Sequence, residues 1–212
     1  MKNITLVLII AASLLFTSCS NKSGDTASSD TNAEVASGFE FQRAFTTLEW
    51  TAFKTTAIVP VGGKFEDFSF TPGAASGSLK DIFNGGSLSI KTGSVNSANE
   101  ERDGKIVKYF FGNMVTSETI TGTTKWLSGD DSTGTVEVML TINNVAHPAN
   151  CTYTRNGMTL ELTTSLDLSN WNGISAVDSL NAVCYDLHKG EDGVSKLWPN
   201  VDVKVTSQLR KL

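Results

Sequence analysis

Few residues in this 212-residue chain could do chemistry, and their spacing favours packing over reaction. Cys184 and His188 stand one helical turn apart, the arrangement in which an imidazole can activate a thiol. The plainer role is a small buried thiol followed by a helix-ending histidine, because free Cys packs as a compact hydrophobe and positive charge is favoured at a helix C-terminus. His147, the other histidine, falls in a different predicted element, so no zinc-ligand spacing arises. Asp130-Asp131, set between Gly129 and Gly134, carries too few oxygen ligands for calcium and reads as a loop between strands. Arg102-Asp103 in an early helical turn is the kind of pair that balances surface charge, with contact to a ligand headgroup as the sharper alternative. No Gly-x-Ser-x-Gly, phosphate loop or dinucleotide fingerprint occurs, so the sequence gives catalysis no support and a non-enzyme is expected.

The two ends of the chain differ in kind. Lys2 precedes an apolar run from Leu6 to Phe16 that is too short for a permanent membrane span and stops at Thr17-Ser18-Cys19. Residues 1–18 therefore read as a signal peptide, and the small residues before Cys19 resemble a bacterial lipobox, with Phe16 where Leu is usual. The resemblance implies a lipid thioether on Cys19 and an exported, lipid-anchored protein on the periplasmic face, with the outer membrane favoured because Ser20 gives no retention signal. Residues 19–38 are mostly Ser, Asp, Thr, Asn, Ala and Gly with little to bury, which predicts a flexible tether with an end-to-end distance of about 25 Å. Residues 39–212 make one domain, and a chain of this size buries roughly 70% of its unfolded surface.

Charge narrows the partners. Lys+Arg 17 against Asp+Glu 22 gives a net charge of −5, which becomes −6 once Lys2 leaves with the signal. Without a Lys/Arg cluster, nucleic acid and anionic membrane are poor electrostatic partners. Cys151 in a predicted strand and Cys184 in a predicted helix have no spacing that forces a disulfide, so two buried free thiols are expected.

The elements follow from periodicity. Val136, Val138, Leu140 and Ile142 alternate with Thr135, Glu137, Met139 and Thr141, which puts one apolar face on a strand. Asn143-Asn144 turns the chain, and Asn156-Gly157 predicts a type I′ hairpin before the alternation of Leu160 and Leu162. Further strands are predicted over Leu48 to Val59, Lys64 to Thr71, Ser87 to Val95, Thr119 to Leu127 and around Val201 to Val205, about eight in all. That number suits a closed barrel, which removes exposed sheet edges. Two amphipathic helices are predicted, one over Ser97 to Gly112 with Ser97 and Glu100 as a capping box, the other over Ile174 to Lys189.

The run SLSIKTGSVNSANEERDGKIVKYFFGN followed by GTVEVMLTINNVAHPANCTY resembles the YceI family of bacterial envelope proteins, on Ser94-Val95, Arg102-Asp103, Phe110-Phe111, Gly134 and Leu140 to Val145 in that order. The likeness covers most of the chain after the tether. It departs at Gly104-Lys105, where many relatives continue with His-Leu, and at His147-Pro148. The resemblance implies a mainly β, lipocalin-like antiparallel barrel of about eight strands with two accessory α-helices, holding a polyisoprenoid or similar long-chain amphiphile in its lumen. The Gly-x-Trp signature of true lipocalins is missing, because Leu48 stands two residues before Trp50.

Residues expected at the lumen or its mouth are Trp50, Phe65, Phe68, Phe110, Phe111, Trp126, Val138, Leu140, Leu160 and Leu162. For any single one, a place in an ordinary packed core is at least as good a reading. The expected function is sequestration or carriage of an isoprenoid or fatty amphiphile, with no cofactor and no metal. The rival is a structural or interaction lipoprotein whose barrel is filled by its own side chains.

Overall fold

The computed structural model describes residues 38–212, so the signal peptide, the lipidation of Cys19 and the tether up to Ser37 lie outside the described residues. The polypeptide forms a single curled antiparallel sheet. Its strands are β1 (Phe39–Lys54), β2 (Val59–Phe65), β3 (Phe68–Thr71), the two-residue β4 (Ser76–Gly77), β5 (Ser87–Lys91), β6 (Val95–Asn96), β7 (Thr119–Gly129), β8 (Thr133–Ile142), β9 (Val145–Asn156), β10 (Thr159–Asp167) and β11 (Leu197–Lys211). Pairing runs β3-β5-β7-β8-β9-β10-β11-β1-β2-β6. The two ends of that order are parts of the same hairpin. β2 and β3 are halves of one extended segment, 59–71, and β5 and β6 are halves of another, 87–96. Phe65 pairs with Val95 and Phe68 with Ile90, and across the bulge between them Glu66 N donates to Ser94 O at 3.1 Å and Lys91 N to Asp67 O at 2.9 Å. The ring of pairing is thereby continuous, with eight staves in the wall.

Turn chemistry explains most junctions. Asn143 and Asn144 both take positive φ, 52° and 58°, the type I′ pattern. The next hairpin differs from the expectation. Asn156 pairs with Thr159, leaving Gly157 and Met158 as the loop, and of these two Gly157 alone has positive φ, as a type II′ turn requires. The strand expected over Leu48 to Val59 is also broken, at Thr55 to Ile58. Thr55, at φ 60°, is held by tertiary bonds, its N donating to Lys196 O and Trp198 Nε1 to its carbonyl, both 2.8 Å, and Ile58, at φ 56°, closes the turn by donating its N to Thr55 O at 3.3 Å.

Three α-helices accompany the barrel where two were expected. The additional one, α1 (Leu79–Phe83), sits under the end of the barrel where β1 begins, with Ser78 and Asp81 forming a reciprocal capping box. α2 covers Glu100–Lys105 and continues as a π-helical turn over Ile106–Phe110 and a 3-10 turn over Phe111–Asn113. Its cap is Asn99, whose side chain accepts from Arg102 N; Ser97 instead donates its backbone N and hydroxyl to Asp103. α3 spans Ile174–Val183 and gives way to a 3-10 turn over Tyr185–His188, short of the Lys189 boundary. α3 packs against the π-helical and 3-10 turns that follow α2, across the end of the barrel opposite α1.

The wall thins at one place. β9 bonds β10 only from Thr152 onward, leaving residues 145–151 paired with β8 alone. Pro148, which has no N–H to offer, is accommodated in that half of the strand. A 3-10 turn, Leu168–Trp171, covers the split: Trp171 is buried, its Nε1 donates to Leu140 O at 3.0 Å, and its ring lies edge-on to His147 at 5.1 Å.

Candidate functional site

The two ends of the barrel interior are filled to different degrees. At the α1 end, rings meet in a chain: Phe41 on Phe70 at 5.1 Å, Phe70 on Phe83 at 6.4 Å, Phe83 on Tyr153 at 5.6 Å and Tyr153 on Trp126 at 5.5 Å. Glycine makes room for one of them, since a Cβ on Gly134 would collide with the Tyr153 phenol. That hydroxyl donates to Asp130 O at 2.6 Å, and burial, helped by Asp130 and Asp131, pushes its pKa up to about 12.

Above this floor the lumen is hollow. A cavity of about 260 Å³ runs from the Phe41, Phe70 and Phe83 rings up to Ile106, Phe110, Val177, Leu180 and Trp198 under the opposite end. Inward positions alternate along each strand, so the wall is made almost wholly of carbon. The few polar groups nearby are mostly spent on protein partners: Thr46 and Ser207 hydroxyls bond each other at 2.8 Å, and Thr124 donates to Phe83 O. The Trp50 indole N–H is buried without a partner.

Of the ten residues singled out from sequence, nine line this cavity: Trp50, Phe65, Phe68, Phe110, Phe111, Val138, Leu140, Leu160 and Leu162. Trp126 does not. It packs on Tyr153 at the floor, because β7 has run past the hollow section by that residue. Sequence reading missed Phe41, Leu88, Ile90 and Ile120 on the strands and Val177 and Leu180 on α3, which complete the wall. The alternation of Leu88 with Ile90 signals two of them; that α3 faces the lumen is a tertiary fact. Gly63 was also silent: the Trp50 indole lies flat against it, where a Cβ would collide with the six-membered ring.

The helical cover is shaped by its backbone. The widened π turn carries Ile106 and Phe110 onto the cavity side, and Phe110 stacks edge-on against Phe111 at 4.9 Å, which in turn reaches Phe65 at 6.2 Å.

The other chemically suggestive groups have structural partners. Cys151 and Cys184 are both free and buried, and burial pushes the Cys151 thiol up to about 11. Cys184 is likewise raised by burial, His188 Nδ1 is bonded to Asn181 Oδ1 at 2.8 Å, and among the described residues no hydrogen bond joins the thiol to the imidazole. Asp130 caps its own turn through Ser132 N and Thr133 N, which holds its carboxyl below the usual range, and Asp131 accepts from Leu79 N at 2.8 Å. Among the described residues no three metal-capable side chains cluster, and no helix is long and apolar enough to cross a membrane.

An antiparallel barrel closed at one end, hollow above it and roofed by helices defines a lipocalin-like fold. The YceI-like domain model matches residues 25–209, and the chain belongs to that family. Among solved structures it is similar to a polyisoprenoid-binding domain from Saccharophagus degradans implicated in plant cell wall breakdown, with 14% identity, a TM-score of 0.57, and 84% of this chain and 99% of that one covered. It is also similar to BcnA from Burkholderia cenocepacia, with 17% identity, a TM-score of 0.52, and 81% and 100% covered. No curated protein matches the chain.

Proposed function

We propose that this domain binds a long-chain lipid of the polyisoprenoid class in its lumen and stores or carries it within the cell envelope. The carbon-walled cavity is the observation that bears the reading. A chain without polar atoms gains roughly 25 cal/mol for each Å² it withdraws from water, and such a wall would leave the hydrogen bonds of a buried headgroup unmet. The headgroup therefore stays toward the helical end while the tail points to the aromatic floor. The Saccharophagus domain, described as polyisoprenoid-binding, supports the ligand class. In the same reading the protein is exported, anchored through Cys19 and held at the outer membrane, it has no enzymatic activity, and it needs no cofactor.

The decisive experiment is solvent extraction of protein purified without detergent, followed by mass spectrometry. A stoichiometric long-chain lipid is expected; a clean extract from folded protein, with no uptake of added polyprenol, overturns the proposal. Leu140→Arg, which sets a charge in the wall, is expected to abolish retention. Mass measurement of the mature N-terminus tests the anchor separately.

A further inference from the structure

Exposed apolar side chains are distributed very unevenly over the molecule. Of twelve large ones among the described residues, nine lie at the helix-bearing end, including Leu187 at 60%, Ile58 at 53% and Tyr185 at 51% exposure, together with Val194, Val59 and Val183. They are neighbours across the chain. Lys54 Nζ donates to Leu187 O at 2.9 Å, Thr55 N to Lys196 O at 2.8 Å, and Thr56 Oγ1 to Asp192 Oδ2 at 2.6 Å, which seats the 55–58 turn against 187–196. Val183 ends α3 and Tyr185 opens the turn after it, and Val177 and Leu180 of that helix face the cavity. The rim is thus continuous with the hollow interior.

We propose that this rim is a membrane-docking surface, through which the barrel takes its ligand directly from a bilayer. The inference rests on the lipid-binding reading above. An isoprenoid tail that prefers a carbon-walled cavity is nearly insoluble in water, so a free aqueous step would be slow, whereas a mouth pressed into the headgroup layer keeps the tail out of water throughout. The side chains suit that layer. Lys189 lies over the Tyr185 ring at 5.6 Å and Lys196 over Trp198 at 3.5 Å, pairing aromatic bodies with ammonium tips that can snorkel among headgroups. Local charge is mixed, since Asp186, Glu191 and Asp192 share the rim with Lys54, Lys189 and Lys196. Docking therefore draws on apolar burial and depends little on salt.

The test follows uptake of a fluorescent polyprenol by the chain as purified, presented either in phosphatidylcholine vesicles or on cyclodextrin. Ile58→Glu with Leu187→Glu is expected to slow uptake from vesicles at least tenfold and leave uptake from cyclodextrin unchanged, while Leu127→Glu, at the other end of the barrel, changes neither. Leu187→Glu alone serves if the double variant folds poorly, because its side chain is in a surface turn. Wild-type uptake should also rise with vesicle concentration and hold between 50 and 500 mM salt. Equal vesicle rates for the rim variant and wild type, or a rate fixed by escape of the probe into water, overturn docking and leave lipid binding intact. A wild type that loads from neither source overturns the binding reading and the docking with it.

Discussion

The floor and the roof of this barrel are built from the same residue types to opposite ends. At the floor, Phe83, Tyr153, Leu79 and Ile82 are buried and meet ring to ring or side chain to side chain, with α1 pinned beneath them by its capping box and by Asp131. At the roof, Phe110, Ile106 and Leu180 are only partly buried, and they face a hollow. Apolar area at the floor has been converted into folding free energy; at the roof much of it is left facing the hollow, which the proposed function gives to a lipid. The difference teaches that a fold of one layer can hold its stability at one end and leave the other open.

Paired truncations break the comparison most directly. Phe83→Ala removes a buried ring from a filled site and is expected to cost about 3–5 kcal/mol in chemical denaturation. Phe110→Ala acts at the edge of a space that is already empty, so its cost should be only about 1–2 kcal/mol while retained lipid falls severalfold. Equal destabilisation by the two would show that the roof is as much core as the floor.

A smaller effect sharpens the account of the floor. Ser78 accepts from Asp81 N and its own N donates to the Asp81 carboxylate at 3.0 Å. Ser78→Ala is expected to cost about 1 kcal/mol, read as a shift of the denaturation midpoint with the slope unchanged, and to leave lipid retention as in the wild type. A loss of lipid instead would mean that α1 communicates with the hollow section.

How far these two ends could be read from sequence depends on how local their causes are. The strands carrying Val136 to Ile142 and Leu160 to Leu166 declare themselves through alternation, and Asn143-Asn144 declares its turn, because period and turn chemistry are properties of a few consecutive residues. The turn at Thr55 to Ile58 contains no Gly, Pro or Asn and is imposed by Lys196 and Trp198 from far along the chain, so nothing nearby announces it. α1 is five residues long, too short for a periodic signal, although Ser78-x-x-Asp81 was there to be noticed. For the site, inward-facing identity was legible and depth was not. Trp126 and Leu140 are both inward and apolar, yet one belongs to the packed floor and the other to the cavity, and that depends on barrel height, which alternation does not encode.

The last prediction is a pH dependence that belongs to the roof. His188 is buried beside α3, and burial, reinforced by the nearby Lys54 ammonium, lowers its pKa from 6.5 to about 4. Nδ1 is within 2.8 Å of Asn181 Oδ1, which a neutral ring satisfies by placing its single proton there. Above pH 6.5 the ring is neutral in the folded and the unfolded chain, and it contributes no pH dependence. As pH falls below 6.5 the unfolded chain takes up a proton that the folded one refuses, so stability declines from about pH 6.5 and levels off near pH 4, where the folded ring protonates too. His188→Gln keeps a donor toward Asn181 and cannot titrate, so a plot of midpoint against pH should be flatter for the variant between pH 6.5 and 4 and parallel to wild type above it. Asp130 acts in a separate and lower range, because its backbone bonds hold its pKa below normal and their contribution is lost only as pH falls through that depressed value. A variant curve as steep as wild type between pH 6.5 and 4 would assign the acid sensitivity to the carboxylates at the floor and remove the roof histidine from the account.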